Sequence, residues 1–137
     1  MRRSVPAPSP ARAPRVAQSR VAGARLSRAE RVCRRPEYLA AYERGSRSAS
    51  RLMTVFVLAN DLGLARLGIA ATRKFGNAVM RNRAKRWIRE AFRRHKPQAG
   101  VDIVVVPKRD MLLARFAHVE ADYCAIVDRR VRNAREA

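Results

Sequence analysis

The chain has 137 residues, and its 31 Lys and Arg against 11 Asp and Glu leave a formal charge of +20. That length supports one hydrophobic core rather than two, and no apolar run of roughly 18 residues is present to span a bilayer. A field of this sign opposes compaction and draws polyanions, with nucleic acid the first candidate and an anionic membrane surface the second.

Residues 1–25 are rich in Arg, Ala, Pro and Ser, with no acid and no aromatic residue. Pro6, Pro8, Pro10 and Pro14 break any helix there, so a disordered arm is expected. An organelle transit peptide is the alternative, and the same prolines oppose the amphipathic helix it would need. Residues 26–131 are expected to form a single domain, and 132–137 a flexible tail.

Glu37–Arg44 reads as a short helix, opened by Pro36 at its first position and closed by Gly45. Tyr38 and Tyr42 are i and i+4, so they share a face. They are either core rings or a stacking wall for single-stranded RNA. Gly45 to Ser50 reads as a polar loop. Leu52–Leu58 reads as a strand that is apolar on nearly both faces. Ala59-Asn60-Asp61-Leu62-Gly63 carries turn chemistry, and Ala65–Ala71 reads as a second strand, antiparallel to the first through this hairpin. Met53, Val55 and Val57 share one strand face; Thr54, Phe56 and Leu58 share the other. The pattern leaves open which of the two meets the core.

Arg73 and Lys74 precede Gly76, and Asn77 is a good residue to cap a helix start. From Met80 the spacing predicts an amphipathic helix. Met80, Ala84, Trp87, Ile88, Ala91 and Phe92 fall on one face, and Asn82, Lys85, Arg86, Arg89, Arg93 and Lys96 on the opposite one, before Pro97 ends the pattern. An ordinary exposed helix mixes signs. Here Arg81–Lys85, Lys85–Arg89 and Arg89–Arg93 are like-charge i, i+4 pairs, each costing about 0.2–0.5 kcal/mol. Arg81 and Arg83 also crowd the positive end of the helix dipole. A polyanion lying along this face reverses the sign of every one of these penalties.

Val101–Val106 is a short β-branched run that reads as a buried strand ended by Pro107, and the last helix is expected from about Arg115 to Val131. The element order is helix, strand, strand, helix, strand, helix: an α+β fold with helices on a small mixed β-sheet. The carboxylates are scattered, and His95 and His118 lie in different helices with no companion motif. No phosphate loop and no GxSxG motif is present. No catalytic residue is expected, because a protein nuclease needs clustered carboxylates or a histidine pair. The two cysteines, Cys33 and Cys124, lack a CxxC partner or His/Cys cluster and read as free thiols in a reducing cytoplasm.

From Gly76 to Glu90 the chain reads Gly-Asn-Ala-Val-Met-Arg-Asn-Arg-Ala-Lys-Arg-Trp-Ile-Arg-Glu. This resembles the signature of the bacterial ribonuclease P protein family. Arg31-Val32, Glu37-Tyr38, Tyr42 and Gly45 fit the same family's first helix, with Tyr in place of the more usual Phe and with Cys33 where a basic residue is more typical. The resemblance covers roughly residues 31–127. It implies a fold like the second domain of ribosomal protein S5, an extra strand in the first β region, and the signature helix inside a left-handed βαβ crossover.

The resemblance also implies a ribonucleoprotein in which a catalytic RNA subunit carries the active site and its Mg²⁺ ions. The protein would bind no cofactor of its own and need no protein partner or membrane. Arg73, Lys74, Asn77, Arg81, Asn82, Arg83, Lys85, Arg86 and Arg89 would dock on the RNA subunit. Tyr38, Tyr42, Thr54 and Phe56 would hold the single-stranded 5′ leader of precursor tRNA, and the product would be tRNA with a mature 5′ end. Two other classes explain the charge but not the signature: a ribosomal or other structural RNA-binding protein, and a DNA-compacting protein.

Overall fold

The organising strand is the last one in the sequence. Val101, Ile103, Val104 and Val105 are each at most 1 % exposed, so this segment needs cover on both faces and a neighbour on both edges. The structure, a computed structural model, describes residues 26–136, and within them a four-stranded mixed sheet answers that need. In chain order the elements are α1 (Arg35–Arg44), β1 (Ser46–Ala49), β2 (Met53–Ala59), β3 (Arg66–Ile69), α2 (Ala78–Arg94), β4 (Val101–Pro107) and α3 (Phe116–Glu136). Short 3₁₀ turns at Arg28–Glu30 and Arg109–Leu113 complete the set. The arm expected over residues 1–25 lies outside the described residues.

The strand order is β1-β2-β4-β3, with β4 antiparallel to β2 and parallel to β3. This corrects the expected hairpin: β2 and β3 do not pair, because β4 lies between them. The most continuously apolar strand takes the centre, and β3, which carries Arg66 and Gly68, takes an edge. The connection after β2 is consequently wider than a two-strand turn. It is pinned to the start of β4 by Asn60, whose N–H donates to the Gly100 carbonyl at 2.9 Å.

A second correction concerns Gly45 to Ser50. Ser46–Ala49 is strand β1, antiparallel to β2 from Ser46↔Val57 to Ala49↔Thr54. An edge strand of alternating Ser and Arg has little apolar surface to announce it, and its stability comes from ladder hydrogen bonds. The last helix also runs further than expected, to Glu136.

The two sheet faces have different fates. Met53, Val55 and Val57 of β2, Leu67 of β3, and Val101, Ile103 and Val105 of β4 pack with Ala84, Ile88, Ala91 and Phe92 of α2 and with Val119, Tyr123, Ile126 and Val127 of α3. Burying one such side chain is worth about 1.5–3 kcal/mol, so this face holds α2 in place against its like-charge penalties. Met80, expected on the buried face, is 40 % exposed, and Trp87 is only half-buried. The first turn of α2 projects past the sheet, and full burial begins at Ala84. Thr54, Phe56 and Leu58 point to the opposite side, which α1 only partly covers.

Candidate nucleic-acid interface

The approach to α2 is held by one buried ring. Phe75 is 4 % exposed and its N–H donates to the Thr72 carbonyl at 3.0 Å, leaving Arg73 and Lys74 exposed on the turn. Asn77 caps the helix, its Oδ1 accepting from the Met80 N–H at 2.9 Å. Arg81 folds back so that its guanidinium donates to the Gly76 carbonyl at 2.7 Å. Asn82, Arg83, Arg86 and Arg89 are exposed, while Arg81 and Lys85 are half-buried. The Arg83 guanidinium lies 4.6 Å from the centre of the Trp87 ring.

The acids are placed unevenly. Glu90 pairs with Arg93 and Arg94, and Glu120 of α3 with Arg94 and with His95 Nε2. Lys96 pairs with Glu30. Arg93 and Lys96, expected on the free basic face, are thus committed to ion pairs at the C-terminal end of α2. Among the described residues no ion pair involves Arg81, Arg83, Lys85, Arg86 or Arg89.

On the other face of the sheet α1 forms a wall. The Tyr38 and Tyr42 ring centres are 6.5 Å apart, and Tyr42 meets Phe56 of β2 edge-on at 4.9 Å. A Cβ at Gly68 would lie 2.9 Å from the Tyr38 hydroxyl oxygen, so only glycine lets the ring settle there. Burial pushes both tyrosine hydroxyls up from their ordinary value. Thr54 shares the face of Phe56 but is only 8 % exposed, so it is floor rather than contact surface.

Two features of this site are not singled out by the sequence reading. The first is a charge clamp under α1. Arg66 of β3 donates through Nε and Nη2 to the two carboxylate oxygens of Asp102 on β4, at 2.8 and 2.7 Å, and through Nη1 to Glu37 Oε2 at 3.0 Å. The other Glu37 oxygen accepts from the backbone N–H of Arg34 and Cys33, at the start of α1. The hydrogen bonds that Arg66 donates to Asp102, and then to Glu37, raise its pKa against the effect of burial. The signal was present: a lone acid inside a buried β-branched strand calls for a cation.

The second is where Lys85 and Arg89 lie. They line a cleft of about 220 Å³ together with Arg31, Cys33, Tyr38 and Gly68. Tyr38 and Cys33 also border a neighbouring hollow of about 440 Å³ that reaches Tyr42 and Ala70. The two expected groups of site residues therefore meet: part of the basic helix face opens onto the aromatic wall.

Acid should weaken this architecture. Burial favours protonation of Glu37, but the Arg34 N–H, Arg66 and the Cys33 N–H outweigh it and hold its pKa below 4.5. Glu30, Glu90 and Glu120 are lowered too, Glu120 chiefly by His95. A lowered folded-state pKa gives stability that is full above the unfolded value and lost as pH falls through the folded one. The urea midpoint is expected to be level from about pH 7 to 5 and to fall below about pH 4.5. A midpoint that rises on acidification would contradict these pairings.

Fold and charge together define a small, strongly basic α+β domain with an acid-free helix face beside an aromatic-walled cleft. Among the described residues no group of three or more His, Cys, Asp or Glu is placed to hold a metal ion, and no helix is long and apolar enough to cross a membrane. The family model for Ribonuclease P matches residues 26–131, and the chain belongs to that family. It is 44 % identical over 96 residues to the ribonuclease P protein component of Syntrophus aciditrophicus, covering 69 % of this chain and 81 % of that protein. The RNase P protein of Thermotoga maritima has a similar solved structure, with a TM-score of 0.67 at 34 % identity, covering 73 % of this chain and 96 % of that one. The RNase P protein of Staphylococcus aureus gives a TM-score of 0.65 at 28 % identity, covering 77 % and 94 %. Membership gives the chain a part in ribonuclease P and in tRNA processing.

Proposed function

We propose that this chain is the cytoplasmic protein subunit that binds the catalytic RNA of ribonuclease P and the 5′ leader of precursor tRNA, assisting removal of the leader. The RNA carries the catalysis and the Mg²⁺ requirement of the holoenzyme. One observation carries the reading: the acids that offset α2 sit at its C-terminal end, leaving Arg81 to Arg89 facing no acid beside an aromatic cleft. Neutralising phosphate lowers the repulsion between two RNAs, so less Mg²⁺ is needed to bring them together.

The test is cleavage of a leader-bearing precursor tRNA at low Mg²⁺, with protein alone, RNA subunit alone, and both. Activity in the combination only is expected. Cleavage by the protein alone would refute the division of labour, and tight RNA binding without stimulation would favour a structural role.

Phe56→Ala separates the two surfaces. It removes the ring that Tyr42 meets edge-on, and leaves α2 untouched. RNA-subunit affinity is expected to hold, while the preference of the holoenzyme for precursor over mature tRNA drops by about 1–3 kcal/mol if a base stacks there. Equal losses in both assays would mean that the ring serves the fold instead.

A further inference from the structure

The cations of α2 point to two flanks, and only one flank opens on the cleft. Two residues turn a helix by about 200°. The i, i+4 pair Arg83 and Trp87 therefore lies away from the pair Lys85 and Arg89 that borders the aromatic wall. Trp87 meets Phe116 where α2 packs on α3, with ring centres 6.2 Å apart and planes inclined at 60°. A guanidinium lies over each ring. That of Arg83 is 4.6 Å from the centre of Trp87, and that of Arg94 is 5.1 Å from the centre of Phe116.

The two cations are not equivalent. Arg94 is neutralised by Glu90 at 3.0 Å and Glu120 at 3.4 Å, so it ties α2 to α3. Arg83 is exposed, and among the described residues it has no hydrogen-bond or ion-pair partner. What holds it is the indole face, which fixes the plane of the guanidinium and uses none of its N–H donors. A lone phosphate contact needs no such plane, because a lysine ammonium serves it as a point charge. An unstacked base does need one, since its ring lies flat on a guanidinium.

We infer that Arg83, held flat on Trp87, is a stacking platform for an unpaired base of the RNA subunit, with Trp87 as its positioning residue. This rests on the reading above that α2 docks on that RNA. The occupant is the RNA subunit because the platform lies on the α3 flank, whereas the rings assigned to the leader lie on the opposite face of the sheet. The charge of Arg83 still counts toward a neighbouring phosphate, as that of a lysine would. Trp87 has two tasks: its body packs against the core, and its outer face orients a cation.

The experiment uses the full chain and a bacterial ribonuclease P RNA subunit. Arg83→Lys keeps the charge and removes the flat face. It is expected to weaken RNA-subunit binding about tenfold, the scale of one lost base stack, and to leave the slope of log K against log[salt] unchanged. Trp87→Leu is expected to cost a similar factor, and both changes together little more than either, because each removes the same platform. Trp87 is the only tryptophan of the chain, so its emission reports this place alone. Bound RNA subunit is expected to shield it from acrylamide quenching, and a free leader oligonucleotide to leave it accessible. Because Arg83 is exposed and unpartnered, an unchanged melting curve for Arg83→Lys serves as the folding control. Three results would overturn the inference while docking through α2 stood: full affinity in Arg83→Lys, fully additive losses in the double variant, or quenching that the RNA subunit leaves unchanged. If the unmodified chain does not bind the RNA subunit, the docking reading itself fails and the inference falls with it.

Discussion

Asp102→Ala is expected to destabilise the fold by about 3–5 kcal/mol, the cost of leaving a partly buried cation without its main partner. Asp102 is 6 % exposed, and both of its carboxylate oxygens are occupied: Oδ1 accepts from Arg66 Nε and from Asn60 Nδ2, and Oδ2 from Arg66 Nη2. Removing it strands a guanidinium between β3 and α1 and frees the Asn60 amide that ties the β2–β3 connection to β4. Replacing both by apolar residues of similar volume, Arg66→Met with Asp102→Leu, is expected to cost less, since the one charge then left without its counter-ion is Glu37, which is partly exposed and keeps the Arg34 and Cys33 N–H groups. Urea unfolding of the two variants measures the difference. A loss below about 1 kcal/mol for Asp102→Ala would place Arg66 in solvent contact and rule out the clamp.

The clamp also links stability to the candidate site. Glu37 holds Arg66 with one oxygen and the first N–H groups of α1 with the other. The tilt of α1, and with it the height of Tyr38 and Tyr42 over the sheet, is set by an ion pair to Arg66 of β3, which Asp102 of β4 holds in turn. A variant weakened here should therefore lose leader preference before it loses RNA-subunit affinity, because α2 is held by the opposite face of the sheet. Glu37→Gln tests the link. It removes one charge but retains an oxygen for the N–H groups, so the helix start survives while its tie to Arg66 slackens.

What could be read from the sequence follows from how local each signal is. The course of α2 is legible because a 17-residue helix repeats its apolar spacing several times, and its Asn cap and terminal loop lie next to it in the chain. The burial of β4 is equally legible in its β-branched run. Strand order is not, since Ala59 to Gly63 has the composition of a turn whether the strands it joins are neighbours or are parted by a third. The polar β1 is hidden for a related reason: its partner strand, not its own side chains, makes it a strand. The aromatic wall is readable as a pair, Tyr38 with Tyr42, but the glycine that seats Tyr38 is 30 positions along the chain. Lys85 and Arg89 look like part of one uniform basic face, and only the packing of α1 beside them turns them toward the cleft.

The largest functional effect is expected from the triple substitution Arg83→Ala, Arg86→Ala and Arg89→Ala. All three side chains are exposed, and none has an ion-pair partner among the described residues. The fold should register little. Loss of the Arg83–Trp87 contact costs about 0.5–1 kcal/mol at an exposed site. Relief of the Lys85–Arg89 and Arg89–Arg93 repulsions, with alanine's better helix propensity, returns a similar amount. Binding to the RNA subunit should behave in the opposite way. Each phosphate contact contributes about 0.7–0.9 to the slope of log K against log[salt]. Three contacts then remove about 2–3 units of slope and, at a physiological salt of about 0.15 M, roughly 100-fold in affinity. A helix whose charges served only solubility would keep both its slope and its affinity after this change. Stability that is unchanged alongside binding that collapses is the combination expected of a surface whose repulsions are tolerated because a polyanion relieves them.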